Sequence, residues 1–278
     1  MTNAITIWTA PKPPFDAATV EYKKLVFSGG EVQVRLSTDN HINNITTLIA
    51  KVRNSEELME LLLVTDAIRQ RNQHTRISLR LGYLPYARQD RVCEPGEALS
   101  LKVFCSLINS QNYESVQIWD CHSDVGLFAI DRVEHVTQAQ IVAKILDHFH
   151  DGRRYTLVAP DTGAMKKIRD VSKRLNMPYI QADKTRNTDT GAITGTVVNA
   201  EVCGDVHYLI VDDICDGGAT FVGLADELKR RGANLVSLFV THGIFSKGLG
   251  VLSPKFERIY CANSWLPSQG NLSVLIEN

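Results

Sequence analysis

Three absences narrow the possibilities before any motif is read. The six cysteines, Cys93, Cys105, Cys121, Cys203, Cys215 and Cys261, are scattered, and no two stand in a CxxC spacing. That argues against a disulfide framework or a zinc knuckle. Free thiols in a reducing cytoplasm are expected instead, with Cys105 and Cys121 acting as small buried apolar residues. No apolar run approaches the roughly 18–20 residues needed to span a bilayer. The N-terminal MTNAITIWTAPKPPFDAATVEYKK has no charged leader ahead of an apolar core, so no signal peptide is expected and a cytoplasmic location is. Charge of one sign is also lacking: 30 Lys and Arg stand against 31 Asp and Glu, a formal net charge of −1. There is thus no electrostatic footprint for nucleic acid or an anionic membrane. Solenoid repeats and low-complexity stretches are absent as well.

What is present is a 278-residue chain, 44% apolar, in which apolar runs alternate with helical patterns. A helix is expected from Asn54 or Ser55 through LMELLLVTDAIRQ, with Glu56 and Glu57 at the positive end of its dipole. RISLRLGYLPY reads as a strand, ALSLKVFCSLINS as a helix and SVQIWDCH as a strand. The second half repeats this grammar. YTLVAPD is a strand, and GAMKKIRDVSKRLN a helix ended ahead of Pro178. HYLIVDD is a strand buried on both faces. FVGLADELKRRGAN is a helix capped by Gly232, and LVSLFVTHG and ERIYCANS are two more strands. Such alternation predicts parallel sheets covered by helices, an α/β fold made twice over. The expected domains are residues 1–147 and 148–278, joined near His148–Arg154.

The chemistry concentrates in VDDICDGGAT, residues 211–220. A buried strand delivers two carboxylates at its C-terminal end, a glycine turn follows, and a helix opens at about Thr220. Ligands of open α/β sheets sit at the carboxyl ends of strands. Free N–H groups at a helix N-terminus attract phosphate, and glycines let it approach the backbone. Adjacent carboxylates accept hydrogen bonds from vicinal hydroxyls. Acids beside an anion nest describe a phosphorylated sugar. A strand-end Asp capping its own helix beside a tight turn is the plainer alternative for an isolated DGG.

The segment resembles the loop for 5-phosphoribosyl 1-pyrophosphate (PRPP) shared by type I phosphoribosyltransferases and ribose-phosphate pyrophosphokinases, the PRPP synthetases. The family pattern is close to D-D-x-x-D-T-x-G-T. The resemblance implies that Asp212 and Asp213 hold the ribose 2′- and 3′-hydroxyls. Asp216, Gly217, Gly218, Ala219 and Thr220 would hold the 5′-phosphate. Gly217 stands where threonine is usual and Ala219 where glycine is usual, which opens space beside the phosphate and removes a hydroxyl ligand.

Further segments resemble the synthetases. In GYLPYARQDR, Arg88 and Gln89 match the pair that contacts ATP, a task suited to the planar guanidinium fork; RQD alone is equally a surface turn. The following RVCEPGEALSLK lacks the family's basic character, with Glu97 near the usual arginine. In IWDCHSD, His122 matches a residue at the magnesium-bound ATP phosphates, although a lone strand-end His is more often structural. In APDTGAMKK, Asp161 matches a metal or ribose ligand and is equally an N-cap. In ADKTRN, Lys184 and Arg186 match a mobile catalytic arm; alone, KTR is an ordinary solvated patch. In FSGGEVQVRL, Phe27 and Glu31 match an adenine pocket offered to a neighbouring subunit, while simple core packing is the plainer reading of Phe27. The resemblance covers nearly the whole chain.

It implies an enzyme of two tandem phosphoribosyltransferase-like domains, the first on the ATP side and the second on the ribose-phosphate side. The reaction implied is Mg2+-dependent transfer of the β,γ-pyrophosphoryl group of ATP to ribose 5-phosphate, giving PRPP and AMP. Phe27, Glu31, Arg88, Gln89 and His122 would hold ATP, and His122 and Asp161 the metal. Lys184 and Arg186 would meet developing charge, in an assembly of at least a dimer and up to a hexamer. The altered turn leaves open a 5′-substituted acceptor such as ADP-ribose. A phosphoribosyltransferase and a non-catalytic regulator remain alternatives. The first would leave the YARQD half idle; the second would be expected to have lost Lys184 or Arg186.

Overall fold

Strand–helix alternation builds two separate sheets. The computed structural model describes residues 5–9, 18–39, 41–149, 152–186, 193–267 and 269–274, with the backbone alone at 8, 9, 18, 184–186 and 193–195. The chain divides into two units between Val136 and Thr137. That is one helix earlier than the expected junction near His148–Arg154. Helix α4 (Gln138–His148) packs on α5 (Met165–Leu175) and on the second sheet, so its apolar face belongs to the second core.

In the first unit the strands are β1 (Ile5–Thr9), β2 (Ala18–Val20), β5 (Ile45–Ala50), β6 (Arg76–Gly82), β7 (Val116–Trp119) and β8 (Val133–Val136). Their order is β2-β1-β5-β6-β7-β8. β5 to β8 run parallel, and β1 lies antiparallel to both β2 and β5. Ile77, Leu79 and Leu81 are buried at every second position of β6, the period a pleated strand imposes. Helix α1 (Ser55–Arg71) starts as expected: the Asn54 side chain accepts the Glu57 N–H at 2.9 Å, and Leu61, Val64 and Ile68 are buried.

The hairpin of β3 (Tyr22–Val26) and β4 (Val32–Leu36) forms its own two-stranded sheet against α1. Its seat is polar. Glu60 is fully buried in α1, accepts from the Tyr22 hydroxyl, and takes the Lys24 ammonium at 2.9 Å. A buried carboxylate is tolerated only with such partners.

The strand expected over 76–86 ends at Gly82, whose φ of +57° turns the chain out of the sheet. Residues 83–99 form a loop before helix α2 (Ser100–Ser110). Helix α3 (Asp124–Ala129) and β8 were not anticipated, because each is too short to display a full period, and neither were the strands ahead of α1 nor the two over residues 179–198.

The second unit contains β9 (Tyr155–Ala159), β10 (Tyr179–Arg186), β11 (Ile193–Val198), β12 (His207–Cys215), β13 (Leu235–Gly243), β14 (Ile259–Ser264) and β15 (Leu272–Val274). The order is β11-β10-β9-β12-β13-β14-β15, with only β11 antiparallel to its neighbour. The chain moves outward from β9 to β10, then returns to lay β12 on the other side of β9. That reversal opens a crevice at the carboxyl ends of β9 and β12. Residues 208–211 of β12 are buried, as the continuous apolar run predicts. Helix α6 (Ala219–Arg230) buries Phe221, Leu224, Ala225 and Leu228 and ends at Gly232, with φ +110°.

A Cβ added at Gly126 on α3 would lie 2.6 Å from Leu84 Cδ2 and 2.8 Å from Cys121 Sγ. The loops after β6 and β7 therefore pack together only over a glycine. Gly126→Val should destabilise the fold by about 1–3 kcal/mol, as overpacking does, measured by urea denaturation.

Candidate functional site

The crevice of the second unit collects acids from two strand ends. Asp161 follows β9, accepts the Ala164 N–H at 3.2 Å and caps a short 3-10 turn that leads into α5. Its N-cap role is therefore real. Asp212 and Asp213 lie in the last third of β12: the Asp213 N–H donates to Asp212 Oδ1 at 2.9 Å, and Asp213 is buried. The Lys167 ammonium, from the first turn of α5, donates to Asp213 Oδ2 at 3.1 Å. Burial raises the Asp212 carboxyl well above its ordinary range. The Asp213 charge adds to that, and Asp161 adds further; the Asp213 N–H and Lys167 oppose it. Between the acids and the turn, the Cys215 thiol is pushed up to about 12 by burial and then by the charges of Asp212 and Asp216.

The turn itself follows from glycine. Gly218 has φ +80° and stands at the N-cap of α6 without a side-chain bond, so the helix N-terminus is open. A Cβ at Gly218 would lie 2.9 Å from Leu252 Cδ2, and one at Gly217 would touch the Lys247 stem at 3.5–3.8 Å. The loop after β13 is tied to this turn. The N–H groups of Ile244 and Phe245 donate to the Cys215 carbonyl, and that of Ser246 to the Asp216 carbonyl, at 2.9, 3.1 and 3.2 Å. Vicinal hydroxyls can be gripped by the paired acids, and an anion can be held at the helix start.

Beside the acids, Asp183 on β10 accepts from Thr162, Gln181 and Asn199 side chains. Gln181 leads these donors in holding its carboxyl below the ordinary range. The backbone of Lys184 pairs with Thr196 and that of Arg186 with Ile193 across a bulge. The side chains of Lys184 and Arg186, and residues 187–192, lie outside the described residues.

In the first unit the two motif loops sit at the ends of adjacent parallel strands. Arg88, Gln89 and Asp90 follow β6; Asp120, Cys121, His122 and Ser123 follow β7. The Asp90 carboxyl is held below its usual range by the Ser123 side chain first and by Arg91, 3.3 Å away, next; the parallel pairing of β6 and β7 is what sets the two loops side by side. Arg88, Gln89 and His122 are exposed, and the Tyr86 ring, 5.8 Å from that of Phe104, seats the loop on α2. Glu97 folds its own segment by accepting the Cys93 and Glu94 N–H groups at 2.8 and 3.1 Å. Phe27 and Glu31 sit at the tip of the β3–β4 hairpin, with Phe27 51% exposed rather than packed in a core.

Sequence reasoning passed over Lys167, Asp183 and Lys247. Lys167 was legible one helical turn and a cap beyond Asp161. Asp183 and Lys247 carried no spacing signal, because both depend on contacts between distant segments.

Two open sheets of mostly parallel strands, with acids and a glycine turn at a switch point, define a phosphoribosyltransferase-like protein of two domains. A family model described as the N-terminal domain of ribose phosphate pyrophosphokinase matches residues 15–111, and one for the phosphoribosyl transferase domain matches residues 133–255. The ribose-phosphate pyrophosphokinase of Pyrococcus furiosus is 31% identical over 261 residues, covering 93% of this chain and 90% of that protein. That of Bradyrhizobium diazoefficiens is 34% identical over 221 residues, covering 77% of this chain and 68% of its own length. The crystal structure of phosphoribosylpyrophosphate synthetase from Mycobacterium smegmatis shares the fold, with TM-score 0.75, 24% identity, and coverage of 93% of this chain and 86% of that one. The chain belongs to the ribose-phosphate pyrophosphokinase family. None of the helices among the described residues is long and apolar enough to cross a membrane.

Because the native fold raises the Asp212 pKa above its unfolded value, folding favours the protonated form. Stability therefore falls as pH rises from the unfolded pKa, about 3.9, through the folded one. Asp212→Asn should melt at a higher temperature than the parent at pH 8, with the gap closing below about pH 4. Thermal melts across that range measure it.

Proposed function

We propose that this protein transfers the β,γ-pyrophosphoryl group of ATP to the C1 hydroxyl of ribose 5-phosphate, giving PRPP and AMP. The observation that carries this reading is the pairing of Asp212 and Asp213 with the open glycine turn at the β9/β12 switch point. Membership of the ribose-phosphate pyrophosphokinase family supports it.

In this reading Asp212 and Asp213 hold the ribose 2′- and 3′-hydroxyls, with Lys167 holding the Asp213 side chain in place. Residues 216–220 take the 5′-phosphate. The C1 oxygen forms a bond to the β-phosphorus as the bond from that phosphorus to the α,β-bridging oxygen breaks. The bridging oxygen leaves with AMP, and the C1 hydroxyl gives up its proton. Positioning and charge stabilisation carry such a transfer, since little covalent work falls to the protein. Arg88, Gln89 and His122 hold the ATP phosphates, and Phe27 and Glu31 the adenine. Lys184 and Arg186 meet the developing charge.

Magnesium enters as part of the nucleotide substrate. Among the described residues no three His, Cys, Asp or Glu side chains converge as a cage. Mg2+ takes oxygen ligands, commonly one or two carboxylates with phosphates and water. Asp161, at the rim of the crevice, would offer one carboxylate to an ion that arrives bound to phosphate, and His122 is the weaker of the two metal assignments. When bound, the ion would neutralise phosphate charge.

The exposed Phe27 at a hairpin tip fits an adenine site completed by a second copy, hence at least a dimer and up to a hexamer. A second acceptor is favoured by one observation: the nearest atoms a side chain at Gly217 would meet belong to the stem of Lys247. That stem is flexible, and its movement would admit a 5′-phosphate bearing a further group, as in ADP-ribose.

Release of AMP from MgATP, tested with ribose 5-phosphate and separately with ADP-ribose, checks the reading; no AMP with either defeats it. Lys184→Ala should lower kcat by roughly 10²–10³-fold, as loss of a charge-stabilising donor does, while KM values stay within a few-fold. Near-normal turnover in that variant removes Lys184 from the mechanism.

A further inference from the structure

The cation nearest the glycine turn belongs to no motif. Lys247 follows β13, and its Cγ, Cδ and Cε carbons lie 3.8, 3.6 and 3.5 Å from where a Gly217 Cβ would be. Three backbone hydrogen bonds fix this loop to the turn, from Ile244 and Phe245 to Cys215 and from Ser246 to Asp216. The Gly248 N–H closes the loop on the Phe245 carbonyl at 2.8 Å. The stem of Lys247 is thus laid across Gly217 by the fold, and among the described residues the ammonium forms no ion pair or hydrogen bond.

The local charge explains what such a cation is for. The crevice brings together Asp161, Asp212 and Asp213, and Asp216 is near enough to raise the Cys215 thiol. The ammonium of Lys167 is already committed to Asp213. A dianionic phosphate entering beside these carboxylates meets repulsion that the α6 N-terminus, worth about half a unit charge, does not offset alone. Gly217 offers a backbone N–H and no side-chain donor. A side chain at 217 would lie directly against the lysine stem.

We propose that Lys247 is the side-chain ligand of the acceptor's 5′-phosphate, and that the Gly217–Lys247 pair sets which ribose phosphates the site takes. This rests on the acceptor site assigned above. An ammonium on a four-carbon stem can follow a phosphate whose position shifts when it carries a further group, which a short hydroxyl on the turn cannot do.

The test uses the full chain, with AMP release from MgATP measured against ribose 5-phosphate and against ADP-ribose. Lys247→Met keeps the stem and removes the charge. It should raise KM for the accepted ribose phosphate roughly 10- to 100-fold, the range for a hydrogen bond to a charged group, with KM for ATP and the melting temperature unchanged. Lys247→Arg should stay within a few-fold of the parent. Adding Gly217→Thr to Lys247→Met should recover part of the lost acceptor affinity by returning a hydroxyl to the turn. An active parent whose acceptor KM is unmoved by Lys247→Met overturns the role of Lys247 and leaves the pyrophosphokinase reading standing. A parent that releases no AMP with either acceptor overturns that reading, and the role of Lys247 with it.

Discussion

Everything in the second unit is arranged around two carboxylates that cannot move apart. Asp212 and Asp213 are consecutive residues in the last third of a buried strand, and the Asp213 N–H is itself bonded to Asp212. Their mutual repulsion, with burial, raises the Asp212 pKa, and the contact from Lys167 to Asp213 opposes it. Such crowding costs stability, and it persists because the strand ends where the sheet reverses direction. The same reversal leaves the crevice open, so the strain and the opportunity to bind hydroxyls have one origin.

Around that pair, short-range chemistry and long-range packing divide the labour. The turn 216–218 is local: a glycine at φ +80° and an uncapped helix start make an anion seat from consecutive residues. The walls are not local. Lys167 comes from α5, Asp183 from β10, and Lys247 from the loop after β13, each delivered by a different crossover. The first unit shows the same division. The RQD and DCHS loops are local motifs, but their meeting depends on β6 and β7 being parallel neighbours and on Gly126 leaving space for Leu84 and Cys121.

The hairpin of the first unit makes a related point about cost. Glu60 is a fully buried carboxylate, held by Tyr22 and Lys24. A buried ion pair adds little net stability over an apolar pair of similar size. Together with Val34 and Leu36 in the core, it ties the hairpin that carries Phe27 and Glu31 to α1. The Phe27 ring at its tip is exposed and takes no part in the core.

The strands ahead of α1 and the pair β10 and β11 were not read from the chain. The alternation from α1 onward was legible in large part because hydrophobic period and caps are local: Asn54 before α1, the run 207–213 for β12 and Gly232 after α6 each behave as their neighbours dictate. So was the acid pair with its glycine turn, and so were the motifs that resemble the ribose-phosphate pyrophosphokinases. The strand that stops at Gly82, the short α3 and β8, and the assignment of α4 to the second unit were not legible. Each turns on which distant surface an element packs against. The partners of the site, Lys167 on Asp213 and Lys247 over Gly217, belong to the same class. Sequence alone determined which groups can bind a sugar and a phosphate. Only the tertiary structure decided which cations stand beside them, because a side chain's neighbours across a sheet are set by strand order, and strand order is written in no single segment.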